Sequence, residues 1–272
     1  MRKWVAAMLL LFFTVTLGTS ASAQELKIKL FKAGKADAFL FRMNGRAMLL
    51  DAGEADDAED ILAYARAKGV DALDMVIVSH YDKGHIGGLP DILAALPVAR
   101  VLLPDAYKNN DASRALYKAL MKAGIEPEYV RETMDISWQG IIMTIYPAPL
   151  DFIIADEGDH DDTSLVVSVV HDANKLLFTG DIATPRMEQL LSSGIDLAHA
   201  FLKVPAHGRN TDAMPRFLDA VQPKLAVITC SAKNLPSGAV MEALNTRGVQ
   251  VWLTMDGDVA LTSDGQNFRM KQ

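Results

Sequence analysis

Over residues 26–31 lysine alternates with apolar side chains, the period of two expected of a half-buried strand. Two further apolar runs, 38–41 and 47–50, flank Asn44-Gly45, a dipeptide that favours the tight turn of a hairpin. The period then shifts toward 3.6. Ala58, Ile61, Leu62 and Ala65 fall on one face of a predicted helix. Its first turn carries Asp56, Asp57, Glu59 and Asp60, where the helix dipole favours negative charge, and Gly69 stands where it would end. Downstream, apolar runs at 75–78, 100–103, 141–146, 165–170, 175–178, 201–204, 225–229, 251–253 and 259–262 predict strands. Helices are predicted at 111–123 and 238–246, after Gly87-Gly88, and at Thr184-Pro185, with threonine as N-cap and proline at the first helical position. No linker, charge block or repeat divides this pattern, which predicts one domain over 24–272. Residues 147–162, with two prolines and six acidic side chains, form the one long irregular stretch, readable as a surface loop or as a lip over a site.

The N-terminus departs from that pattern. Arg2 and Lys3 precede an apolar run from Trp4 to Leu17 that only Thr14 and Thr16 interrupt, and Ala21-Ser22-Ala23 is a small-x-small site. The run falls short of the about 20 residues needed to span a bilayer. The expectation is a cleavable export signal over 1–23, a mature chain starting at Gln24 that lacks any transmembrane segment, and a periplasmic or secreted location.

Lysine plus arginine number 27 and aspartate plus glutamate 34, a formal charge of −7. This balance opposes bulk nucleic-acid binding, which needs clustered positive charge. A single cysteine, Cys230, excludes an internal disulfide and a cysteine-rich zinc module, and its place after an apolar strand reads as core. The methionines are scattered among apolar positions as core filler. His171 reads as a solvated turn residue and His199 as structural. Asn234 reads equally as a turn residue and as a substrate contact.

Chemistry concentrates at strand ends. His80, Asp82 and His85 place two imidazoles and a carboxylate on a turn after a buried strand, a donor set suited to Zn²⁺ or Mn²⁺. Gly87-Gly88 follows and would let backbone pass close to a metal or phosphate. Asp51, Asp181 and His207 each close another strand, and His160 lies in the acidic stretch beside Asp159, Asp161 and Asp162.

These residues, in this order, resemble the metallo-β-lactamase superfamily. The match runs from Asp51-Ala52-Gly53 through His80-x-Asp82-x-x-His85-x-Gly87-Gly88 and Thr163-Ser164-Leu165-Val166-Val167. It continues through Thr179-Gly180-Asp181, Leu202-Lys203-Val204-Pro205 with His207-Gly208, and the closing Met255-Asp256-Gly257-Asp258. Within the superfamily the chain is most similar to the hydrolase domain of DNA-uptake competence proteins and their free-standing relatives. The resemblance implies an α+β fold, a four-layer αββα sandwich, and hydrolysis by a metal-activated water with one or two ions of zinc, manganese or iron. Carried over by position, it implies His80 and Asp82 on a first metal, with a donor from the His160–Asp162 stretch. It implies His85 on a second metal, Asp181 as bridge and His207 as a late ligand. Asp82 would also serve catalysis, Lys203 would bind an anionic substrate, and Asp51 would shape the turn beneath His80.

Two positions depart from the family. Gly84 replaces the aspartate that precedes the second motif histidine, and Ala206 replaces the first of a histidine pair. Both losses fall on the second metal. The expected function is an exported metallo-hydrolase acting on a phosphoester or other small-molecule substrate. The alternatives are a non-catalytic binding protein on a decayed scaffold and, among enzymes, a β-lactamase. A β-lactamase would carry His-x-His-x-Asp-His where this chain has Asp82 and Gly84.

Overall fold

A computed structural model describes residues 24–155 and 161–272, so the expected export signal over 1–23 and His160 lie outside the described residues. The first half builds one sheet. Strands β1 (Leu26–Leu30), β2 (Ala38–Met43) and β3 (Arg46–Ala52) form an antiparallel meander. Asn44 and Gly45 both adopt positive φ, as the hairpin turn requires. Helix α1 (Ala58–Ala67) leads to β4 (Met75–Ile77), α2 (Lys83–Ile86), α3 (Leu89–Ala95), β5 (Val101–Pro104), α4 (Asp111–Ala123) and β6 (Glu128–Val130). The strands β3 to β6 run parallel.

The second sheet comprises β7 (Met134–Trp138) and β8 (Ile141–Tyr146), then β9 (Val166–His171) and β10 (Asn174–Phe178) after α5 (Leu150–Ala155). Next come α6 (Thr184–Ser192), β11 (Phe201–Lys203), α7 (Met214–Val221), β12 (Leu225–Ile228), α8 (Gly238–Thr246) and β13 (Gln250–Leu253). The chain returns to the first sheet as β14 (Val259–Ser263) and β15 (Phe268–Lys271). Sheet orders are β15-β14-β1-β2-β3-β4-β5-β6 and β13-β12-β11-β10-β9-β8-β7, each antiparallel on one side and parallel on the other.

Side-chain alternation assigns the layers. Met48 and Leu50 of β3 point into a core shared with Phe178, Phe201 and Val227 of the other sheet. Ala47 and Leu49 point the opposite way, toward Ile61, Leu89 and Leu116 of α1, α3 and α4. On the far side Leu177, Leu202 and Ala226 pack against Met187, Phe217 and Leu244 of α6, α7 and α8. Three apolar cores therefore separate four layers, the αββα sandwich. Each fully buried Leu, Ile or Phe contributes about 1.5–3 kcal/mol of transfer free energy to this arrangement.

Several expectations change in detail. Thr184 is the first helical residue rather than the N-cap; the N-cap is Ala183, whose N–H donates to Asp162 Oδ1 at 2.6 Å. His171 is buried, with Nδ1 2.8 Å from Ser263 Oγ, because the β9–β10 turn folds beneath the Gly265 loop. The strands β6, β7 and β15 and helices α2, α5 and α7 are additions to the predicted set, and α2 puts His85 on a short helix where a turn is expected. The 147–162 stretch contains α5 and ends in a 3₁₀ turn, Asp161–Thr163. Cys230 and His199 are buried, and Asn234 is an exposed turn residue whose N–H donates to the Ser231 carbonyl. Among the described residues no helix is long and apolar enough to cross a membrane.

Candidate metal centre

The C-terminal ends of the parallel strands β3, β4, β10, β11 and β12 share one edge of the sandwich, and β2 and β9 begin there. Backbone ties close the edge: across the two sheets the Leu165 N–H donates to the Ser79 carbonyl at 2.9 Å, and within the second sheet the Ala206 N–H donates to the Gly180 carbonyl at 3.3 Å. His80, His85, Asp181 and His207 meet at this edge, all buried.

Asp51, at the end of β3 with φ 55, accepts from the Ser79 N–H at 2.7 Å and the Ser79 hydroxyl at 2.6 Å. Its Oδ2 also lies 2.8 Å from His85 Nδ1. His85 Nε2 is thereby turned toward Asp181 Oδ2, 3.6 Å away. Burial opposes charge on His85, but Asp51 and Asp181 outweigh it and raise its pKa well above the ordinary value. Burial holds His80 well below its ordinary value, so its ring is neutral and keeps a lone pair. His80 Nδ1 is 3.1 Å from Ser79 Oγ, while the buried Nε2 has no hydrogen-bond partner.

Asp181 follows Gly180, whose φ of 54 and contact with Ser164 leave no room for a side chain. Its Oδ2 is 2.8 Å from His207 Nε2. Burial favours the protonated acid, yet Lys203, His85 and His207 hold the carboxyl well below its usual range. His207 is fixed from behind, its Nδ1 2.9 Å from Thr229 Oγ1 and 3.0 Å from the Thr229 carbonyl.

Lys203 is completely buried. Its ammonium donates to the Gly180 carbonyl at 2.8 Å and to Asp181 Oδ1 at 3.2 Å, and pairs with Asp37 Oδ2 at 2.6 Å. Burial lowers its pKa, but Asp37 and Asp181 prevail and raise it. It therefore lies beneath the site, not at the mouth where an anionic substrate would meet it. Asp37 is absent from the sequence expectations. It stands at the entry to β2, accepts from Thr229 Oγ1 at 2.7 Å and is buried. In the sequence it stands only as a charged residue just before the apolar run at 38–41.

Among the described residues, three groups bring ligand atoms within 4.8 Å of one another: His80, His85 and Asp181; His80, Asp82 and Asp161; and Asp37, Asp51 and His85. The last is already satisfied by Lys203 and Ser79. The other two share His80, and their imidazole and carboxylate donors fit zinc, manganese or iron. A buried histidine with an orphaned nitrogen, grouped with carboxylates, is what a cation site requires. Asp161 Oδ1 is 4.0 Å from His80 Nε2, and its Oδ2 accepts from Arg209 at 2.9 Å. Asp82 is the most open donor, its side chain 39% exposed and its Oδ1 2.7 Å from Lys108 Nζ.

Two glycine positions explain the local backbone. A Cβ on Gly88 would collide with the Ala52 carbonyl, and one on Gly87 would lie 2.8 Å from Ala55 N. The pair thus admits the β3 loop rather than a phosphate. At Gly84 a Cβ would lie 3.2 Å from the Lys35 carbonyl, and Gly84 itself accepts from the Asp37 N–H at 3.0 Å. The 35–37 backbone occupies the flank of the second site where the resemblance would place a carboxylate.

The metallo-beta-lactamase superfamily profile matches residues 32–231. Recombination protein 2 of Haemophilus influenzae is 29% identical over 245 residues, 87% of this chain and 29% of that protein. Competence protein ComA of Neisseria gonorrhoeae is 27% identical over 261 residues, 93% of this chain and 34% of its own length. The chain thus spans about a third of the length of these relatives. Among solved structures, a diphosphatase from the PhnP family superposes with a TM-score of 0.54 at 15% identity, covering 88% of this chain and 97% of its own. The metallo-beta-lactamase fold protein YhfI from Bacillus subtilis gives 0.52 at 13% identity, covering 85% and 96%. These structures share the fold.

Proposed function

This chain belongs to the metallo-beta-lactamase superfamily, and from that premise we propose that it is a metal-dependent hydrolase of phosphoesters, exported by way of residues 1–23. The observation that carries the reading is buried His80, whose Nε2 has no hydrogen-bond partner and whose ring brings a ligand nitrogen within 4.8 Å of ligand atoms on His85 and Asp181. Zinc, manganese or iron held there would supply a water of lowered pKa and polarise a phosphoryl oxygen. The chain's own residues prepare that chemistry. Ser79 and Asp51 aim the two motif histidines, Thr229 aims His207, and Lys203 keeps Asp181 ionised. Asp82, the donor most open to solvent, is both a ligand and the carboxylate that orients the incoming water. The names of the recombination and competence relatives support a phosphoester, and Asp82 and Gly84 stand at two positions where a β-lactamase needs histidine and aspartate.

A binding protein without activity is the second reading, favoured by Gly84 and Ala206. The full chain, loaded with manganese or zinc, should hydrolyse bis-p-nitrophenyl phosphate, and His80→Ala and Asp181→Ala should abolish the rate. Full rate in either variant overturns the metal mechanism. A protein that takes up metal but hydrolyses no phosphoester supports the binding reading.

A further inference from the structure

We propose that Arg209 is the residue that grips the anionic group of the substrate at the mouth of the metal centre, a role that Lys203 is too deeply buried to fill. The inference rests on the phosphoester reading above.

The turn that carries Arg209 is rigid. Ala206, His207 and Gly208 have φ of 46, 54 and 75, a run of left-handed residues that reverses the chain after β11. The Arg209 N–H donates to the Ala206 carbonyl at 2.9 Å and the Ser237 N–H to Gly208 at 2.9 Å. A Cβ on Gly208 would lie 2.7 Å from Pro236. The same turn thus fixes His207 on Asp181 and Arg209 on Asp161. The guanidinium is one carboxylate away from His80, since Asp161 offers Oδ2 to Arg209 at 2.9 Å and Oδ1 to the His80 side at 4.0 Å.

Its contact is also incomplete. Arg131 with Asp105 and Arg100 with Glu128 make two-point pairs that occupy the guanidinium fork. Arg209 meets Asp161 through one nitrogen, and its side chain is 49% exposed against 8% for Asp161. Part of the fork remains turned to solvent beside the candidate first metal site. Lys203 differs: its side chain is 0% exposed, and its donors are committed to Gly180, Asp181 and Asp37. An arginine already oriented by a carboxylate and still holding open donors suits the paired oxygens of a phosphoryl group.

The test compares the full chain with R209K and R209Q. It measures metal content, hydrolysis of bis-p-nitrophenyl phosphate, and binding of inorganic phosphate followed by ³¹P NMR. R209Q should raise KM and weaken phosphate binding by about tenfold, one charge-assisted hydrogen-bonding contact, while kcat falls less and metal content holds. R209K should recover part of both losses. Unchanged KM and phosphate binding in R209Q overturn the inference, as does loss of metal with collapse of kcat, which would make Arg209 a support for Asp161 only. If the wild type hydrolyses nothing, the phosphoester reading fails by itself. Phosphate binding that R209Q abolishes would then still support the anion grip, and wild-type protein that binds no phosphate would overturn it.

Discussion

Asp51 Oδ2 stands 2.8 Å from His85 Nδ1, so the imidazole is gripped at one nitrogen and presents the other to Asp181 at 3.6 Å. The carboxylate is tied in turn to the Ser79 N–H and hydroxyl, which links the end of β3 to the end of β4. It touches no open part of the site; its work is orientation. Asp51→Ala frees the ring to rotate and should weaken metal binding by about 10–100-fold, the usual effect of losing such a support. Competition with a chromophoric chelator measures it. Unchanged affinity would mean that Ser79 alone, 3.2 Å from the same nitrogen, suffices to hold the ring.

Lys203 joins two buried carboxylates, Asp37 and Asp181, and removing it deprives both of its ammonium and leaves Asp181 to His85 and His207. Breaking a buried ion pair costs about 3–5 kcal/mol, because the remaining charge keeps its desolvation penalty. Lys203→Met should lower unfolding free energy in urea by about that amount, and adding Asp37→Asn should recover part of it. Additive losses in the double variant would show that the two side chains are not coupled.

These residues also mark where sequence reading stops. The strand–turn sites of Asp51, His80, Asp181 and His207 were legible because each lies at the end of an apolar run, and parallel strand ends share an edge. The Asn44-Gly45 hairpin and α4 were legible from local chemistry alone. Lys203 was misplaced because lysine is rarely buried without a partner, and its partner Asp37 is remote in the chain. Arg209 gave no local signal either; its meeting with Asp161 depends on the left-handed turn at 206–208 and on the packing of β9 beside β10. The turn sequence alone places His171 in solvent, whereas the Gly265 loop that covers it comes from the returning β14 and β15.

Gly84→Asp would restore the residue the family carries, yet the structure predicts no gain in metal. The new Cβ would lie 3.2 Å from the Lys35 carbonyl and 3.4 Å from Ala36 Cβ, both part of the segment that delivers Asp37. Pressing a side chain into that space costs about 1–3 kcal/mol. The expected outcome is a lower melting temperature with unchanged metal stoichiometry by mass spectrometry. A second equivalent of bound metal would show that the 35–37 segment yields.

His199 supplies an acid-sensitive contribution to stability that is independent of the metal centre. Its Nδ1–H donates to the Leu197 carbonyl at 2.9 Å, and Nε2 lies 2.7 Å from Ser168 Oγ. Burial disfavours the charged ring and lowers its pKa; the nearby Lys175 works in the same direction, while the Leu197 bond and Asp196 oppose it. The unfolded chain binds the proton more readily, with a pKa of about 6.5. Stability from this group is therefore complete above that value and is lost as pH falls through the lower folded pKa. His199→Gln removes the titration and can still bond to Ser168. The variant should be less stable than wild type at pH 8, and the gap should narrow on acidification below about pH 6.5. Urea unfolding of both proteins across this range, with matched metal content, measures the gap directly. A gap that stays constant with pH would mean that His199 carries the same proton occupancy folded and unfolded.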